Sequence, residues 1–150
     1  MKKYISILLL FTFTIISCEK DDICIDATTP SLIIRFYDND IQTEIKQVSG
    51  LTVWAHGKDS IYVNQALDSI VLPLDLTKDN TLYKFSSGII EDQINFTYTR
   101  NDVFVSRSCG YKTIFENLQI DSNTTNWLKD ISINNSTIDN ETAAHITIFH

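Results

Sequence analysis

Positive charge is scarce in this chain: 12 Lys and Arg stand against 19 Asp and Glu, for a formal net charge of −7. A partner such as nucleic acid or an anionic lipid surface demands basic patches. The balance argues against both and describes a solvated, soluble surface, because the acidic residues are spread out rather than run into a block. Alanine is scarce too, with five residues at 27, 55, 66, 143 and 144, and helical periodicity is weak, so a helical protein is disfavoured. Only three cysteines occur, Cys18, Cys24 and Cys109. No C-x-x-C or H-x-x-x-H pattern is present, and the close-set ligands of a zinc site are therefore missing. No internal repeat, low-complexity tract or second domain interrupts the 150 residues, which amount to one domain's worth of chain.

What is present begins at the N-terminus. Met1-Lys2-Lys3 is a short positive region, and Tyr4 to Ile16 is a thirteen-residue apolar run broken only by Ser6, Thr12 and Thr14. A helical span of the bilayer needs about 20 residues, whereas the apolar part of a secretory signal has about 7–15. Residues 1–17 are therefore expected to be an export signal. Ile15-Ile16-Ser17-Cys18 resembles a bacterial lipobox, with a branched apolar residue at −3, a small one at −1 and the cysteine at +1. The resemblance implies a diacylglycerol thioether on Cys18 and cleavage between Ser17 and Cys18. One acyl chain holds a protein only marginally, at about 0.8 kcal/mol per buried methylene; the two or three chains of a lipidated N-terminal cysteine would anchor it permanently. Losing Lys2 and Lys3 from the 12 basic residues leaves a net charge near −9 against the 19 acidic ones.

Glu19-Lys20-Asp21-Asp22 follows the cysteine. As composition alone it is a charged tether. It is also similar to the signal that sends Bacteroidota lipoproteins to the outer face of the outer membrane, the alternative being a periplasm-facing lipoprotein. Cys24 and Cys109 are then the two thiols outside the anchor, and in an exported protein two such cysteines are expected to form a disulfide. A nucleophilic Cys109 would need a base, and the sequence does not tell which of His56, His145 or His150 approaches it.

From Ser31 onward the pattern is that of strands. Leu32, Ile34 and Phe36 alternate with Ile33, Arg35 and Tyr37; Leu51, Val53 and Ala55 alternate with Thr52, Trp54 and His56. Ile70, Leu72, Leu74 and Leu76 share an apolar face, and Pro73 within that run demotes it to an edge or bulged strand. Thr99-Arg100-Asn101-Asp102 reads as a hairpin loop between Ile94–Tyr98 and Val103–Val105. Ile146 to Phe149 reads as a final strand, and helix is limited to one turn near Thr124 to Trp127. The expected fold is all-β: an antiparallel β-sandwich, immunoglobulin-like or transthyretin-like, with a small β-barrel as the alternative. The expected divisions are a signal at 1–17, lipidated cysteine and tether at 18–30, and one sandwich domain at 31–150.

Candidate chemistry within the domain is thin. His145 and His150 are five positions apart, an odd offset that sends them to opposite faces of a strand and away from a shared metal. Asp38-Asn39-Asp40 lacks the Gly and distal Glu of a calcium loop and reads as a turn. Ser106 to Lys112 lacks the strand–turn–helix context of a nucleophile elbow, and reads as a strand ending at a disulfide with Gly110 in the turn. Trp54 and Trp127 would stack on sugars if exposed, or fill the core. Asp59-Ser60-Ile61 and Asp68-Ser69-Ile70 resemble the Asp-Ser/Thr-apolar acceptor of Bacteroidota O-glycosylation, at Ser60 and Ser69. No catalytic residue, metal site or cofactor is expected.

The start Cys18 to Cys24, together with "RFYDND", "DSIVLPLD", "VFVSRSCGYKTIFENL" and "AAHITIFH", resembles a domain-of-unknown-function family of small Bacteroidota lipoproteins. The resemblance implies an address and no catalytic residues. The expected function is a non-enzymatic binding or accessory component of an envelope complex, held to the membrane by lipid on Cys18 and meeting an envelope protein or a glycan. A surface glycan-binding or adhesion module is the alternative, and a hydrolytic enzyme the second alternative.

Overall fold

The computed structural model describes residues 23–25 and 28–150; the segment 1–17, Cys18 and residues 19–22 lie outside the described residues. The described chain forms nine strands and no helix: β1 (Leu32–Tyr37), β2 (Val48–Ala55), β3 (Ser60–Leu67), β4 (Ser69–Leu72), β5 (Asn80–Ser87), β6 (Ile90–Ser106), β7 (Gly110–Asn123), β8 (Asp130–Ile133) and β9 (Ile146–Phe149). They build a four-stranded sheet in the order β4-β1-β9-β8 and a five-stranded sheet in the order β3-β2-β5-β6-β7. The five-stranded sheet is antiparallel throughout. In the other, β1 and β9 run parallel, with Ile34 opposite Ile146 and Tyr37 opposite Phe149.

Period-two patterning decides which side of each strand goes inside. Leu32, Ile34 and Phe36 of β1, Ile70 and Leu72 of β4, and Ile146 and Ile148 of β9 form one wall of the core. Leu51 and Val53 of β2, Tyr83 and Phe85 of β5, and Ile94, Phe96 and Tyr98 of β6 form the other. The result is a β-sandwich. Its sheets keep their own edges, unlike a closed barrel: at one side the Tyr62 hydroxyl on edge strand β3 accepts the Val71 N–H of edge strand β4 (3.0 Å) and donates to its carbonyl (3.2 Å). β4 stops at Leu72, immediately before Pro73, and lies at a sheet edge as a proline-bounded strand should.

Two local expectations are corrected. Residues 99–102 are no hairpin loop, because β6 runs unbroken from Ile90 to Ser106 and pairs Arg100 with Phe115, Asn101 with Ile114 and Asp102 with Thr113. Their polar side chains find partners elsewhere: Arg100 Nε donates to Asp79 in the β4–β5 connection (2.8 Å), and the Thr113 hydroxyl of β7 donates to Asp102 (2.6 Å). The turn comes later, at residues 107–109. Likewise residues 124–127 form no helical turn. The buried carboxylate of Asp92 takes the N–H groups of Asn126, Trp127 and Leu128 (2.7, 2.7 and 2.9 Å) and the Thr124 hydroxyl (2.6 Å). A side chain from another strand thus replaces the local bonding a helix would have made.

β5 accompanies β6 only as far as Thr97. Beyond it, β6 and β7 stay paired, with Ile138 bridging β7 at Phe115, and past the pair Arg100–Phe115 they continue as a two-stranded arm to the pair Ser106–Gly110. This arm, and a cleft between the β2–β3 and β4–β5 connections, extend the sandwich beyond its core.

Candidate functional site

The arm carries the predicted disulfide. Cys24 and Cys109 are bonded, with Cα atoms 4.9 Å apart. Ser106 ends β6, its Oγ accepts the Cys109 N–H (3.2 Å), and Gly110 opens β7 at φ 71°, a conformation glycine adopts without steric cost. Ser106 to Lys112 is therefore a strand end, a turn and a disulfide, as expected. Residues 29–31 are also fastened. The Thr113 N–H donates to Thr29 Oγ1 (3.0 Å), Pro30 is buried, and the Ser31 N–H donates to Glu141 (2.7 Å).

Cys18, with Ser17, Glu19, Lys20, Asp21 and Asp22, lies outside the described residues. The histidines are brought to separate places. His145 is buried, and its Nδ1 accepts the Ile33 N–H (3.0 Å), which makes it part of the packing between β1 and β9. His150 lies edge-on to Phe36 and Trp127, with its ring nitrogen 3.2 Å from the Lys46 carbonyl. His56 is exposed at the end of β2. Among the described residues, no three His, Cys, Asp or Glu gather as metal ligands would.

Asp38 to Asp40 is a turn. The Asp38 carboxylate accepts the N–H groups of Asp40 and Ile41 (2.7 and 3.0 Å) and pairs with Lys46 at 2.7 Å. The Lys46 ammonium and those two N–H groups lower its pKa to about 2. Trp127 is taken up by the core; Trp54 is half-buried, with the Lys84 ammonium 6.0 Å from its ring centre. Of the two acceptor-like serines, Ser60 is exposed, whereas the Ser69 hydroxyl is engaged by the Ile34 carbonyl (3.2 Å).

The cleft has a volume of about 720 Å³, within the ordinary range of about 300–1,000 Å³ for small-molecule sites. His56, Lys58 and Asp59 come from the β2–β3 connection, and Pro73 to Asp75, Thr77 and Lys78 from the β4–β5 connection. Thr81 and Tyr83 of β5 contribute buried residues to its lining. Hydrogen bonds from the core hold the β4–β5 connection. The Tyr83 hydroxyl donates to the Pro73 carbonyl, the Tyr98 hydroxyl to the Asp75 carbonyl (3.0 Å), and the Asp75 N–H to Thr81 Oγ1 (3.0 Å). Burial pushes the pKa of both phenols up, so they stay protonated and serve as donors. The Thr77 hydroxyl and N–H hold the Asp75 carboxyl below the usual carboxylate range, with Lys78 and Lys58 helping. This is chemistry suited to holding a ligand: ammonium groups and an ionised carboxylate beside apolar surface, on a braced loop.

The sequence reading did not single out Asp92, Thr81 or Tyr98. Parity would have found Asp92, since it shares the core-facing side of β6 with Ile94, Phe96 and Tyr98. A carboxylate there must be satisfied by something distant.

These features define the class: a small β-sandwich with one disulfide-capped ribbon and an open, braced cleft. Within that class the chain belongs to a family of unknown function, DUF6452, which it matches over residues 50–150. That stretch runs from β2 to the last residue and contains the cleft, the arm and Cys109, while Cys24 precedes it. Searches of curated proteins and of solved structures found no match.

Proposed function

We propose that this chain is a lipid-anchored outer-membrane lipoprotein whose sandwich acts as a non-enzymatic binding or accessory component of an envelope complex. The observation that carries the reading is the Cys24–Cys109 disulfide. Such bonds persist in oxidising compartments outside the cytosol, in accord with an export signal at 1–17 and lipid attachment at Cys18. Glu19-Lys20-Asp21-Asp22 adds the finer element, a Bacteroidota-type signal for the outer face. The cleft beside Lys58, Lys78 and Asp75 offers a place for a small polar ligand or a short peptide.

Two measurements test the proposal. Globomycin treatment with lipid labelling should give an unprocessed, larger form of the native chain, and Cys18→Ala should abolish label incorporation. Processing of Cys18→Ala at the native position would refute the anchor. Crosslinking in intact envelopes, followed by pull-down, should recover a discrete envelope partner; recovery of the chain alone would remove the accessory role.

A further inference from the structure

The arm is the part of the domain nearest the expected anchor, and exposed apolar side chains gather near its tip. Phe104 (56% exposed) and Tyr111 (70% exposed) face each other across the ribbon, with ring centres 5.4 Å apart and nearly perpendicular. Both lie on the side of β6 and β7 that, nearer the body, faces the core: Phe104 continues the parity of Ile94, Phe96 and Tyr98. Out here the opposite sheet is absent and the apolar side stands uncovered. The disulfide brings two more apolar residues to the same tip, Ile23 (78% exposed) and Ile25 (90% exposed), on either side of Cys24. Cys24, Tyr111 and Lys112 border one small hollow beside the bond.

From Cys24 back to Cys18 is six positions, and an extended chain reaches at most about 20 Å over that distance. A lipid on Cys18 therefore holds the tip within about 20 Å of the bilayer. We infer that the arm tip, with Phe104, Tyr111, Ile23 and Ile25 leading, seats in the headgroup region of the membrane and fixes how the domain stands on it. The inference rests on the lipid-anchor reading. Aromatic rings favour that zone of a bilayer, and Arg107 and Lys112 at the same tip are side chains of the kind that can bury an apolar stem while keeping the charge in water. The attraction is apolar rather than coulombic, in keeping with an acidic chain. Ile89, the most exposed of the large apolar side chains among the described residues, sits in the β5–β6 turn at the far end of β6, a strand of 17 residues and so about 50 Å long. Seating the arm points the Ile89 end away from the membrane.

The full-length processed protein, extracted with its anchor and reconstituted in vesicles of phosphatidylethanolamine and phosphatidylglycerol, tests this. Phe104→Trp and Ile89→Trp place a reporter at either end, and the native chain supplies the background of Trp54 and Trp127. Mass spectrometry of the N-terminal peptide establishes separately whether Cys18 carries lipid. The expected result is lipidated Cys18, with brominated lipid quenching the added emission of Phe104→Trp at least about twofold, as for a ring at headgroup depth, and leaving Ile89→Trp unchanged. Lipidated Cys18 with equal quenching at both ends overturns the inference and spares the anchor. A blue-shifted Phe104→Trp that brominated lipid does not quench means that a protein surface, a second copy or a partner, covers the tip, and also overturns it. Unlipidated Cys18 overturns both readings.

Discussion

Asp92→Ala removes one acceptor from four donors: the Thr124 hydroxyl and the N–H groups of Asn126, Trp127 and Leu128, all within 2.9 Å of a carboxylate that is 1% exposed. The hydroxyl can rotate to another partner, but the three backbone N–H groups are held by the chain. Each buried donor left without a partner costs about 1–3 kcal/mol. Water entering the vacated space recovers part of this, so the expected loss is about 3–5 kcal/mol, against about 5–15 kcal/mol for a whole domain. Asp92→Asn keeps one acceptor oxygen and turns an NH₂ toward the remaining donors, for a loss of about 2–3 kcal/mol.

The pH dependence has a definite sign. Burial alone would raise the pKa of Asp92, but the hydroxyl and the three N–H groups outweigh it and hold the carboxyl below its usual range. With the folded pKa below the unfolded one, the contribution is complete above about pH 4 and is lost as pH falls through the folded value. Urea unfolding followed by circular dichroism, with the disulfide intact, measures both effects. At about 1–3 kcal/mol per molar urea, Asp92→Ala should lower the midpoint by about 2 M and flatten the acid limb. A midpoint within about 0.3 M of the native chain would refute the reasoning, since the measured slope could not then conceal the expected loss.

The double substitution Cys24→Ser with Cys109→Ser opens a link of sequence separation 85. The chain-entropy ceiling for it is about 4–5 kcal/mol, to be read as a lower Tm by calorimetry, and an unchanged Tm would contradict the bond. His145 gives a second pH dependence. Burial pushes its imidazole pKa down, the Asn140 carbonyl and the charges of Asp139 and Glu141 pull it partly back, and the net shift is downward. The folded pKa lies below the unfolded one, so stability is full above about pH 6.5 and declines as pH falls through the folded value. His145→Gln should reduce that decline in a urea series across this range, with the remainder due to His150, whose pKa burial also lowers. An identical decline would show that His145 takes no part.

Legibility in the sequence followed the range of the interactions. The alternation of Leu32, Ile34 and Phe36, of Leu51 and Val53, and of Ile70 and Leu72 reports a strand half buried, and each of these residues is inside. Pro73 marked an edge because the missing N–H acts locally. Arg100, Asn101 and Asp102 misled because polar residues in a row resemble a turn, yet their partners are Asp79, Glu116 and Thr113, the nearest of them 11 residues away. Thr124 to Trp127 misled in the same way, since the acceptor that shapes the segment is Asp92, more than 30 residues earlier. The cleft was invisible for a related reason: its lining comes from two connections and a strand that meet only when the sheet forms.

By itself the sequence determined the strand periods, the all-β class and the edge at Pro73. Each of these depends on a residue's own chemistry or on neighbours a few positions away. Only the tertiary structure decided that β6 continues past Thr97 as an arm, that Cys24 closes onto its tip, that Asp92 organises a distant loop, and that a braced cleft opens beside Tyr83. Those outcomes depend on which strands become neighbours. That choice is made by burying apolar faces from all parts of the chain together, and no short window of sequence contains it.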